Sequence, residues 1–214
     1  MQPTHAGWYW DPAGRPGLFR WWDGVAWTRH VSPDRTDPSP EPFRAMTPGD
    51  DGLLHTDVLA FPELEDPWRQ CPAYSGFASA VGQERIVGRT PRGEYDALVV
   101  IGSTPERFAA LAPADVATTL CDEVLRTFYP HAEPVDPAQA REVEVDGRPA
   151  VRLDVEMGVH DPTLDFSTEQ VLLVVVPADG PAGLLYASLP AVEGVPTPDN
   201  VLAMLRVSPS TSAQ

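Results

Sequence analysis

The chain has 214 residues and a formal net charge of -16, from 31 acidic against 15 basic residues, and every basic residue is an arginine. So acidic a chain repels phosphate backbones and excludes general nucleic-acid binding, which rests on clustered cations and counterion release. Its longest apolar run, Val171 to Val176, falls far short of the roughly 20 residues a membrane helix needs, so no membrane span is expected.

Met1 to His5 shows no basic region leading into an apolar run, so the expected location is the cytoplasm. In that reducing compartment Cys71 and Cys121 read as free, buried thiols. Five of the six tryptophans (Trp8, Trp10, Trp21, Trp22, Trp27) precede residue 31. This shift in composition divides the chain into a Trp-rich β mini-domain over 1–31, a Pro/Asp-rich linker over 32–55, an α+β domain over 56–208 and a disordered tail over 209–214. Up to Val31, Arg15, Arg20 and Arg29 stand against Asp11 and Asp23, a net charge of about +1. The acidity therefore belongs to the linker and the second domain.

In chain order, the first elements are two or three short strands around Gly7-Trp8-Tyr9-Trp10, Leu18 to Trp22 and Val25 to His30. Asp23-Gly24 between aromatic and β-branched runs is a hairpin signal, because a type I′ turn needs positive φ at both central residues. From Ser32 to His55, five prolines among acidic and hydroxyl residues leave too little apolar surface for a core. The second domain offers strands at Val81–Val87 and Asp96–Ile101, then a short helix announced by Ser103-Thr104-Pro105-Glu106 with capping-box spacing. A longer helix over 113–128 carries Val116, Leu120, Cys121, Val124, Leu125 and Phe128 on one stripe. Strands follow at Arg141–Val145, Ala150–Met157, Glu169–Val176 and Leu184–Leu189, with an Asp146-Gly147 turn between the first two, and Thr197-Pro198-Asp199 opens a closing helix. Consecutive strands joined by short turns predict an antiparallel sheet flanked by segregated helices, an α+β fold.

Gly7-Trp8-Tyr9, Asp11-Pro12 and Trp22-Asp23-Gly24 with Trp27-Thr28 resemble a short Trp-rich domain of unknown function found near the N-termini of actinobacterial proteins. Trp10 departs from that pattern, where proline is common. The order of elements in the second domain, together with Pro67-Trp68, Asp146-Gly147-Arg148-Pro149-Ala150 and Tyr186-Ala187-Ser188, resembles the PsbP-like fold and its LpqN-type lipoprotein relatives. That resemblance implies a non-catalytic accessory role, as a protein-binding adaptor or chaperone linked to secretion or the cell envelope. Where those lipoproteins carry a signal and a lipidation cysteine, this sequence carries the Trp-rich module, so an exported location is not expected.

The five histidines show no paired metal-ligand spacing, and neither Cys-x-x-Cys nor His-Glu-x-x-His occurs. No enzyme activity and no cofactor are expected. The alternative is a metal-binding or hydrolytic protein using the loop of His160, Asp161 and Asp165, with His131. Ile101-Gly102-Ser103-Thr104 lacks the glycine pattern and lysine of a nucleotide loop. The stronger candidate is the tryptophan cluster, since so short a module has little interior for five indoles. Strand alternation sends Trp21 and Trp22 to opposite faces, so one of them is exposed or docked on the second domain. The expected binding residues are Trp10, Trp21, Trp22 and Trp27 with Arg20 and Arg29, taking a protein partner or a proline-rich peptide. Pro38-Ser39-Pro40-Glu41-Pro42 is a ligand of that kind within the chain itself. Peripheral attachment of the module to a membrane competes with this reading, and its small charge weakens it.

Overall fold

Why these residues form sheets is clearest at the N-terminus, where aromatic and β-branched residues dominate three short segments. The computed structural model describes residues 3, 5–12, 17–23, 27–32, 34–37, 44–72, 77–91, 93–129, 134–136 and 138–209, with the side chains of Arg29, Ala78 and Gly93 outside that description. Strands β1 (Gly7–Trp10), β2 (Phe19–Trp22) and β3 (Trp27–Ser32) form a three-stranded antiparallel sheet. The β2–β3 ladder closes at Trp22 opposite Trp27. The Asp23-Gly24 turn falls among residues that include the undescribed 24–26.

The module continues beyond residue 31. Ser32 is fully buried and hydrogen-bonds the Asp37 carboxylate, and Trp8 Nε1 donates to the Asp37 carbonyl at 2.9 Å. The expected linker is thus shortened from its start. It is shortened from its end as well, because β4 (Leu53–His55) pairs with β5 (Leu59–Pro62), and Leu54 is wholly buried. Met46 and Gln70 exchange two hydrogen bonds of 2.8 Å, anchoring the chain before β4. Two leucines among Asp and Gly carry no readable period, so this strand is invisible to pattern analysis.

The main sheet has seven strands in the order β6-β7-β8-β12-β11-β10-β9, every neighbouring pair antiparallel. Its members are β6 (Arg69–Cys71), β7 (Ala78–Thr90), β8 (Gly93–Ser103), β9 (Gln139–Val145), β10 (Arg148–Gly158), β11 (Thr168–Val176) and β12 (Gly183–Pro190). The β9–β10 turn needs left-handed backbone at both positions, and Asp146 (φ 49°) with Gly147 (φ 73°) supplies it. Helix α1 (Pro113–Phe128) starts with a proline in its first turn, where the missing N–H costs no hydrogen bond. It buries Val116, Ala117, Leu120, Cys121 and Val124 on one side of the sheet, against Val100, Leu153, Val155, Met157, Val171, Leu173, Val175, Leu184 and Tyr186. Helix α2 (Pro198–Met204) and the small sheet β13-β5-β4, with β13 (Arg206–Val207), cover the opposite side, where Val99, Ile101, Leu172, Val174, Val176, Leu185 and Ala187 meet Leu54, Leu59, Phe61, Val201 and Leu205.

Covered on both faces, β11 and β12 carry near-continuous apolar runs instead of alternation. The whole is α+β, mostly antiparallel sheet with two α-helices among the described residues. The helix expected after Ser103 is a single 3-10 turn, Glu106–Phe108, without a side-chain cap. Ser103 ends β8 and Thr104 N–H bonds the Ala182 carbonyl, so the N-cap position falls on Pro105, which has no hydroxyl to offer. Neither Cys71 nor Cys121 forms a disulfide, both are buried, and burial raises the Cys121 thiol to about 11. The expected tail beyond Pro209 lies outside the described residues.

Candidate functional site

In the N-terminal sheet the register sets Trp8 opposite Trp21 and Trp10 opposite Phe19, so these four share one face, while Trp22 and Trp27 pair on the other. Trp22 is only 3% exposed and meets Trp27 edge-on at 5.2 Å. Trp8 is also buried and meets the edge of Trp21 at 5.4 Å. Trp21 and Trp27 are half-buried by these contacts. Trp10 differs, being 66% exposed and stacked on Phe19 at 4.3 Å. Of the four tryptophans expected to bind, Trp10 presents a broad exposed face.

Arg20 has a structural partner. Its Nε donates to Asp11 at 2.8 Å and one terminal nitrogen to the Thr28 carbonyl at 2.9 Å, and the Asp11 side chain is wholly buried. A guanidinium held this way pins β2 to β3 and neutralises a buried carboxylate. It is not available as an anchor for an acidic peptide. The Arg29 side chain and the Pro38 to Pro42 segment lie outside the described residues.

The α+β body holds a polar cluster that no sequence pattern announced. Glu169, at the start of β11, is 1% exposed and accepts hydrogen bonds from the hydroxyls of Tyr95, Tyr129 and Ser188. Burial pushes its carboxyl above the ordinary range, and the three hydroxyl donors pull it back. Burial also raises the Tyr95 and Tyr129 hydroxyls, with the nearby Glu169 charge acting in the same direction. The cluster ties the C-terminal end of α1, through Tyr129, to β8, β11 and β12. Its hint in the sequence is the phase of Glu169, which lies two residues before Val171 on the buried period of β11.

A Ser/His/Asp line also occurs. His55 Nε2 lies 3.0 and 3.1 Å from the Asp51 oxygens, and Nδ1 lies 3.4 Å from Ser208 Oγ. The Ser208 hydroxyl donates to the Thr56 carbonyl at 3.0 Å, so its proton is directed away from the imidazole. This geometry fastens the end of β13 to β4 and does not activate a nucleophile. The His55 contact is the chief reason the Asp51 carboxyl is held below its ordinary range.

In the 160s loop, the Asp161 carboxylate accepts from the Thr163 backbone N–H at 2.9 Å, and Thr163 Oγ donates to the Arg89 carbonyl at 3.2 Å. His160 and Asp165 line an open depression beside this turn. His131 lies outside the described residues, and among the described residues no three His, Cys, Asp or Glu side chains are grouped to hold a metal. No helix among them is long and apolar enough to cross a membrane.

Comparison with known proteins bears on both ends of the chain. Residues 6–40 match a family model described as a protein of unknown function (DUF2510), a span that includes the Trp8–Asp37 hydrogen bond. Among solved structures, the solution structure of cyanobacterial PsbP (CyanoP) from Synechocystis sp. PCC 6803 is similar at 18% identity and a TM-score of 0.43, covering 80% of this chain and 98% of that chain. No curated protein matches. The resemblance carried by the tryptophan motifs recurs in the first of these findings.

Proposed function

We propose that the chain is a non-catalytic, protein-binding adaptor or chaperone-like accessory protein, acting in the cytoplasm, whose N-terminal sheet is its recognition module. The observation that carries this reading is the Trp10–Phe19 stack, 66% exposed at Trp10 on a sheet whose other indoles are buried or half-buried. An exposed indole on a rigid strand offers a large contact area with little conformational entropy to lose, as aromatic anchors at interfaces do. Extended proline-bearing segments suit such a surface, because they are already stiff and stack their rings on indoles. With Arg20 committed to Asp11, selection among such ligands rests on stacking more than on charge.

The reading is tested by titrating the full chain with a synthetic peptide repeating Pro-Ser-Pro-Glu-Pro while following the indole N–H resonances. The expected result is a shift of the Trp10 signal first, with those of Trp8 and Trp22 unmoved. A protein-wide absence of shifts, or shifts only in the body, contradicts recognition through this surface.

A further inference from the structure

The main sheet treats its two edges differently. At one end β6 covers only Gly82–Glu84 of the longer β7, and the 160s loop packs beside Gly88 and Arg89, with the Thr163 hydroxyl on the Arg89 carbonyl and Leu164 seated over Gly88. At the other end β9 terminates the strand order, and residues 134–136 prolong its line through a bridge from Pro134 to Met157 and the Val135 N–H on the Glu156 carbonyl at 2.8 Å. Among the described residues no strand pairs with the outer side of this edge.

The register says which groups are left facing outward. The two-residue Asp146-Gly147 turn sets Val145 against Arg148, and in such a hairpin alternate residues exchange both hydrogen bonds with the partner strand. Val145, Val143, Arg141 and Gln139 therefore bond β10, while the N–H and C=O groups of Ala140, Glu142 and Glu144 point away from the sheet. Ala140, Glu142 and Glu144 are all exposed. The carboxylates of Glu142 and Glu144 share the sheet face that carries α1, because residues two apart on a strand point the same way. Arg141, the cation of this strand, is bonded to Asp154 across the sheet at 3.0 Å on the other face.

This charge pattern decides which occupant fits. A second copy of the chain pairing antiparallel about a two-fold axis sets residues of one face opposite each other. The central registers then place Glu142 against itself or against Glu144, which is repulsive. We propose that the β9 edge accepts an extended basic segment of a partner protein as an eighth strand, with Lys or Arg at alternate positions facing Glu142 and Glu144. Backbone bonds from Ala140, Glu142 and Glu144 supply the affinity, and the two carboxylates select the sequence and make binding salt-sensitive. This inference is independent of the Trp10 surface.

The test is a titration of the isotope-labelled full chain with a synthetic peptide alternating lysine and valine, beside one of the same composition with its lysines in a block. The expected result is shifted and exchange-protected amides at Ala140, Glu142 and Glu144, with the block peptide at least about tenfold weaker, a difference that charge alone would not produce. Glu142→Pro removes an outward donor and leaves every β10-facing bond in place, so it should abolish binding with β9–β10 protection intact. Glu142→Lys combined with Glu144→Lys keeps the whole backbone ladder and should turn the preference to a peptide alternating glutamate and valine, which covers the case in which proline perturbs the strand. Equal binding of the alternating and block peptides, shifts scattered over the acidic surface, or self-association through β9 would overturn the proposal.

Discussion

The N-terminal sheet and the seven-stranded sheet stabilise similar antiparallel ladders with different materials. In the body, β11 and β12 are buried on both faces by aliphatic side chains from two helices and a second sheet. The N-terminal sheet has Trp8, Leu18, Trp22 and Val31 as its buried apolar residues, with the buried Asp11 neutralised by Arg20. A sheet this small must use its aromatic residues as core. An indole it leaves exposed is therefore a costly exception, and Trp10 is that exception.

The largest expected effects come from the two interiors. Trp22→Ala should cost about 3–5 kcal/mol, enough to unfold the N-terminal sheet while amide protection of β11 and β12 persists. Leu173→Ala should cost about 2–5 kcal/mol and lower the melting temperature of the body, leaving the dispersed indole signals of β1–β3 in place. If either change melts both regions together, the contrast between two separate cores fails. Next comes Arg20→Ala, which strands the Asp11 carboxylate in a buried site and should destabilise the N-terminal sheet by about 3 kcal/mol. Chemical denaturation followed by indole fluorescence measures it. A change near zero would mean that Asp11 is solvated or otherwise compensated.

Glu169 sharpens the comparison from the side of the body. A carboxyl with a raised folded pKa binds more protons folded than unfolded. Its contribution to stability is therefore complete below the ordinary value of 4.5 and is lost as pH rises through the folded value. Asp51 and Asp199, held low by His55 and Arg152, act in the opposite sense, so the difference between variants is the informative quantity. Glu169→Gln keeps the shape and can still accept from Tyr129 and Ser188, with Tyr95 turning to accept from the amide. The stability difference between this variant and the parent should favour the variant increasingly as pH rises above 4.5. Parallel profiles of melting temperature against pH would show that Glu169 does not titrate in that window.

What could be read in advance follows from where period and burial coincide. Helix α1 runs over 113–128 as its apolar stripe and N-terminal proline predict, and β8, β10, β11 and β12 contain the strands read from their apolar runs. Strand β4 was hidden because its single buried side chain, Leu54, has no periodic neighbours. The Glu169 cluster was hidden because its partners lie 19, 40 and 74 residues away in the chain, and only the folded sheet brings them together. For the tryptophans, alternation correctly separated the faces of Trp21 and Trp22, but which indole would be covered depended on contacts that alternation does not encode. Trp8 is covered partly because the chain returns to it at Asp37, beyond the segment read as the module.

The smallest structural perturbation gives the most direct test. Trp10→Ala removes an exposed side chain, so stability should change by no more than about 0.5 kcal/mol, with the N-terminal sheet intact. Quantitative capture from lysate by the full chain, compared between parent and variant at matched melting temperature, reads the surface alone. A specific partner captured by the parent should be lost with Trp10→Ala. Capture of the same partner at the same level by both proteins would contradict recognition through Trp10.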